Sequence, residues 1–157
     1  MDVYNRRLQD VGQLAEAFLE APAPDLRDLA DLTVMAASFD YQVKNGGFAQ
    51  LFFNGGYDLL EPYEVMLHTV DAERTAAFYV RAITLCADHA DDFHLVMATF
   101  THPCQLNIDL LMLSMEYLRE NHFDTEVARF LEYAEATFAN VPLPGVEPGT
   151  EPSESPT

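Results

Sequence analysis

Two Asn-Gly-Gly triplets, Asn45-Gly46-Gly47 and Asn54-Gly55-Gly56, bracket a short apolar run and constrain this chain more than any other feature. Glycine takes left-handed backbone angles that a β-carbon resists, so each triplet reads as a helix end followed by a sharp turn. Between them Phe48, Leu51 and Phe52 recur at helical spacing, with Gln50 and Asn54 on another face. That pattern predicts about two turns of helix held as a plug in a core. The glycines do not form a phosphate cradle. A nucleotide loop needs a strand before it and a Lys-Ser or Lys-Thr pair after it, whereas Lys44 precedes the glycines here.

The rest of the chain reads as helices separated by breakers. Val3, Leu8, Val11, Leu14, Phe18 and Leu19 form one stripe, which Ala21-Pro22-Ala23-Pro24 interrupts. Asp25 is the expected cap of a second helix, with Leu29, Met35, Phe39 and Val43 inward. Glu61-Pro62 opens a short helix to Val70, and Asp71 starts the next, whose buried side is Ala76, Tyr79, Val80 and Ile83. Residues 105–121 are apolar almost all round, which predicts a helix buried among others. Asp124 is the expected cap of the last helix, with Val127, Phe130, Leu131, Ala134 and Phe138 inward. Residues 141–157 hold five of the nine prolines and are expected to be a disordered, acidic tail. The fold class is therefore all-α: a single helical domain over residues 1–140, with roughly six to eight helices and with Phe48, Phe52, Leu110 and Leu113 in the core.

The stretch carrying the glycines also resembles a known family. Tyr41, Gln42, Val43, Asn45, Gly46, Gly47, Phe48, Gln50, Phe52, Phe53 and Asn54 stand as in the core motif of a bacterial domain family whose named member is a DNA-mimic protein. The resemblance extends from about Phe39 to Ala87. It implies a small, acidic all-α domain and, for the mimic itself, a dimer that occupies the DNA-binding face of a helix-turn-helix repressor. A motif of glycines and phenylalanines reports packing, however, so the functional argument falls to the surface charge.

That charge is large. The 157 residues hold 26 acids against 8 bases, a net −18 with one lysine. Three acids and no base lie in residues 141–157, which leaves 23 acids and 8 bases, a net −15, on residues 1–140. Solubility asks for a net charge of magnitude about 2–8 in a small domain. Such a chain repels nucleic acid and attracts a basic protein. Candidate partner-binding residues are the row Asp25, Asp28 and Asp31; the run Asp88, Asp91 and Asp92, in a span from Ala82 to Leu118 without Lys or Arg; and the row Glu126, Glu132 and Glu135. Carboxylates three or four residues apart on a helix rise by about 4.5–6 Å, comparable with the ~3.4 Å spacing of phosphates along one DNA strand.

The chemistry-bearing residues point to no enzyme, no cofactor and no metal. Glu64 and His68 are four apart, but a di-iron bundle wants Glu three before His on each of two helices. Asp88, His89, Asp91, Asp92 and His94 resemble a ligand cluster, yet acids between helices ordinarily cap the next one. Cys86 and Cys104 make no Cys-x-x-Cys and are expected to be reduced. No signal peptide or membrane span is legible, so the cytoplasm is the expected location. The leading expectation is a protein that binds the nucleic-acid-binding face of a basic partner; the alternative is an immunity protein that neutralises a basic toxin or nuclease.

Overall fold

Asn5 starts the first helix by accepting a hydrogen bond from the Leu8 amide at 3.1 Å, the ordinary work of an N-cap side chain. The computed structural model describes residues 4–145. Eight helices make up most of them: α1 (Arg6–Glu16), α2 (Pro24–Gly55), α3 (Leu60–Thr69), α4 (Glu73–Asp88), α5 (Ala90–Ala98), α6 (Gln105–Glu120), α7 (Phe123–Glu126) and α8 (Ala128–Ala139). One 3-10 turn, Tyr57–Leu59, leads into α3, and no strand occurs among the described residues. Of the expected tail only residues 141–145 are described, and there Val141 packs against the core; the remainder lies outside the described residues.

The long helix α2 is the spine, with α1, α3 and α6 against it and α4 bridging α3 and α6. It breaks where the first glycine pair predicts, but as a kink instead of a full turn. Gly46 has φ −144° and Gly47 φ 71°, and the helix resumes at Phe48. Helix α6 fixes the break: Ser114 Oγ accepts from the Phe48 amide at 3.0 Å, and a β-carbon on Gly47 would lie 2.6 Å from that same oxygen. Gly56, with φ 69°, ends the helix. The plug between the glycines is buried, and Phe48, Phe52, Leu110 and Leu113 all lie in the core. Around Phe39 the aromatic rings of Phe123 and Tyr63 stand edge-on at 5.3 and 5.8 Å, an orientation that ring quadrupoles favour.

Several expected caps fall elsewhere, each for a local reason. Pro24 takes the first helical position of α2, so Ala23 is the N-cap and Asp25 sits one residue inside. Asp71 turns left-handed at φ 60° to close α3 instead of opening α4. The first amides of α4, Arg74 and Thr75, are satisfied from a distance by Glu126 of α7, at 2.6 and 3.1 Å. Asp91 and Asp92 lie in the first turn of α5, after Ala90. Asp124 is likewise inside α7, and α8 begins only at Ala128.

Helix α6 departs most from expectation. Its Leu106, Leu110, Leu113 and Tyr117 are buried, but Ile108, Leu111, Met112 and Met115 are exposed. Helices α2, α4 and α5 pack against α6, and among the described residues the face carrying Ile108, Leu111, Met112 and Met115 stays exposed. Val80 of α4, expected inward, is exposed beside it.

Candidate protein-binding surface

The fold first withdraws charge from the surface. Lys44 of α2 has only 4% of its side chain exposed and pairs with Asp40 at 2.7 Å and Asp124 at 2.9 Å. Burial pushes the Asp40 carboxyl up from the ordinary carboxylate range, and Lys44 opposes that rise. Asp40 also accepts the Asn5 amide at 3.0 Å, tying the start of α1 to the spine. One cation thus meets a buried acid and a half-buried one, and the exterior keeps no lysine among the described residues.

The fold also occupies many of the surface carboxylates. Besides binding two amides, Glu126 accepts from the Thr75 hydroxyl at 2.7 Å. Glu135 pairs with Arg7, which holds its carboxyl below the usual range. Asp92 accepts the Leu106 amide at 3.4 Å, at the start of α6. Of the expected acidic rows, Asp25, Asp28 and Asp31 remain exposed on α2, as do Asp88 and Asp91 around the α4–α5 junction and Glu132 on α8. The row at Glu126, Glu132 and Glu135 therefore has two of its three members bound within the fold.

What the structure adds is a groove between α2 and α3, of about 720 Å³. Asp28 and Asp31 line one side, and Asp58 and Glu61 line the other. Leu32, Met35 and Val65 supply apolar surface, and no Lys, Arg or His lines the groove. None of the four carboxylates forms an ion pair among the described residues. The sequence reading missed Asp58 and Glu61 because they belong to a different element. Their signal was the same spacing of three as Asp28 and Asp31.

A second groove, of about 900 Å³, runs between α4 and α6. Val80, Leu85, Met112 and Met115 line it, but its charges are mixed: Arg81 and Arg119 with Asp109 and Glu116. Arg81 reaches Glu116 at 2.9 Å, which holds that carboxyl below its usual range, and lies 5.0 Å over the Phe78 ring.

The polar residues of the glycine stretch bond to one another and line neither groove. Asn45 donates to Gln50 at 3.1 Å, and Gln50 and Asn54 both donate to Gln42 Oε1 at 2.7 Å. This amide chain straps the kink across Gly46. Three candidate histidines have partners within the fold: His68 lies 3.0 Å from Glu73, His89 3.7 Å from Asp109 and His94 2.9 Å from the Tyr57 hydroxyl. Among the described residues, no three His, Cys, Asp or Glu side chains converge as a metal site would require. None of the described helices is long and apolar enough to cross a membrane.

Fold and surface together define a class: an acidic, all-helical domain that presents unpaired carboxylates beside apolar grooves. The chain belongs to the DMP19-like protein family, whose sequence pattern matches residues 23–138. This is a family of DNA mimics, proteins that act by binding other proteins, and it is not a known enzyme family. Neither the curated proteins nor the solved structures contain a match to the chain.

Proposed function

We propose that this protein occupies the nucleic-acid-binding face of a basic protein, such as a helix-turn-helix transcription regulator, and so competes with that partner's nucleic acid. The observation that carries the reading is the set Asp28, Asp31, Asp58 and Glu61: four carboxylates at one groove, none of them neutralised. A fold that uses Glu126, Glu135 and Asp92 for its own bonds leaves these four available. The exposed apolar face of α6 supports a homodimer. A two-fold interface places the same surface on both sides, so its charges must complement themselves, and the rim of Arg81, Arg119, Asp109 and Glu116 supplies both signs.

The test is a pull-down from the native cell at low salt, followed by binding kinetics on the recovered protein. A basic DNA-binding protein is expected, with affinity falling as the screening length shrinks to about 8 Å at physiological salt. Reversing Asp25, Asp28 and Asp31 to lysine should slow association more than it speeds dissociation. A complex indifferent to salt and to those reversals would sink the proposal. Recovery of a basic toxin would turn it to an immunity role on the same surface.

A further inference from the structure

The two sides of the α2–α3 groove repeat one arrangement. Asp28 and Asp31 are three apart on α2, and Asp58 and Glu61 are three apart where the 3-10 turn runs into α3. Between them the surface is apolar and open: Val65 is 57% exposed and Tyr57 50% exposed. A row of phosphate-like charges needs no broad apolar floor between its members, so this groove offers a partner more than charge. It is unsuited to a second copy of this chain, since two such rims would repel each other across the contact.

We propose that this groove holds a basic amphipathic helix of the partner. An apolar side chain of that helix seats on Leu32, Met35 and Val65, while flanking Lys or Arg residues meet Asp28 and Asp31 on one side and Asp58 and Glu61 on the other. Charge complementarity selects this occupant, because the groove offers four acids and no base. Helical spacing fits it as well: residues three or four apart rise by about 4.5–6 Å, so cations flanking an anchor match acids spaced by three. The inference rests on the reading that the chain binds a basic protein and goes beyond it. Recognition here depends on an apolar anchor as well as on charge, so a basic protein lacking the anchor is discriminated against.

The probes are three synthetic helical peptides, each about four turns long. One carries Lys and Arg around a central Leu, one has Ser in place of that Leu, and one keeps the Leu but has Glu in place of every base. They are titrated into the full chain labelled at its methionine methyl groups, with Met35 and Met66 reporting on this groove and Met112 and Met115 on the other. The Leu peptide with bases should shift Met35 and Met66 alone. The Ser peptide should bind at least about tenfold more weakly, the effect of losing one buried aliphatic side chain, and the Glu peptide should not bind. Asp28→Asn with Asp58→Asn should weaken the Leu peptide and flatten its salt dependence. Equal binding of the Leu and Ser peptides, or shifts confined to Met112 and Met115, would overturn this inference while leaving a basic partner in place. Failure of both basic peptides to bind at low salt would overturn the basic-partner reading with it. The peptide series needs no substitution, so a variant that misfolds leaves the test intact.

Discussion

The α2–α3 and α4–α6 grooves are alike in their apolar lining and opposite in their rims. Each exposes methionine or branched aliphatic side chains that a folded protein ordinarily covers. One rim is wholly acidic and the other alternates in sign. Apolar area makes contact with a partner favourable, but it does not choose the partner. The sign pattern does so: an alternating rim tolerates its own image, while an acidic rim rejects it and admits only a cationic surface. A protein with one groove of each kind can pair with itself and still keep a face for another protein.

The largest expected effect would erase both grooves at once. Lys44→Met leaves Asp40 buried without its cation and should destabilise the fold by about 3–5 kcal/mol, measured by urea unfolding. Next, Met112→Asp with Met115→Asp gives the α6 groove an acidic rim like its counterpart. Self-association measured by sedimentation equilibrium should weaken at least about a hundredfold, as charge is placed in an apolar contact, while binding of the basic Leu peptide at the α2–α3 groove, read at Met35 and Met66, is unchanged. An unchanged association constant would remove α6 from the interface. Gly47→Val comes third. A left-handed residue with a β-carbon costs roughly 1–2 kcal/mol, to which contact with Ser114 adds; unaltered thermal stability would mean that the kink tolerates side chains. The smallest effect belongs to the mixed rim. Arg81 holds the Glu116 carboxyl below the usual carboxylate range, so the stability it contributes is present above that range and is lost as pH falls through its lower folded value. Glu116→Gln should therefore make the acid limb of the stability profile slightly less steep; an identical limb would show that the pair contributes nothing.

Helical periodicity and breakers sufficed for the fold class, because apolar spacing reports which face is covered. Phe48, Phe52, Leu110 and Leu113 were legible as core for that reason. Caps were less legible: Glu126 satisfies the amides of α4 across more than fifty residues of chain, and no local pattern encodes such a bond. The site was readable by halves. Asp28 and Asp31 stood out as a row, but the groove exists only once α3 folds back and brings Asp58 and Glu61 opposite them. On α6 the pattern misled outright. A helix that is apolar all round is buried when neighbours surround it, and sequence does not count neighbours.

Burial of Lys44 has a further consequence, for the reactivity of the folded chain. Its ammonium group is the only ε-amine the protein owns, and it sits between two carboxylates with 4% of its side chain exposed. Acylating reagents, amine-directed cross-linkers and enzymes that build isopeptide bonds therefore find no lysine to attack while the helices stay closed. Acylation of Lys44 becomes a clock for opening of the domain, with a rate set by how often α1 and α7 release the spine.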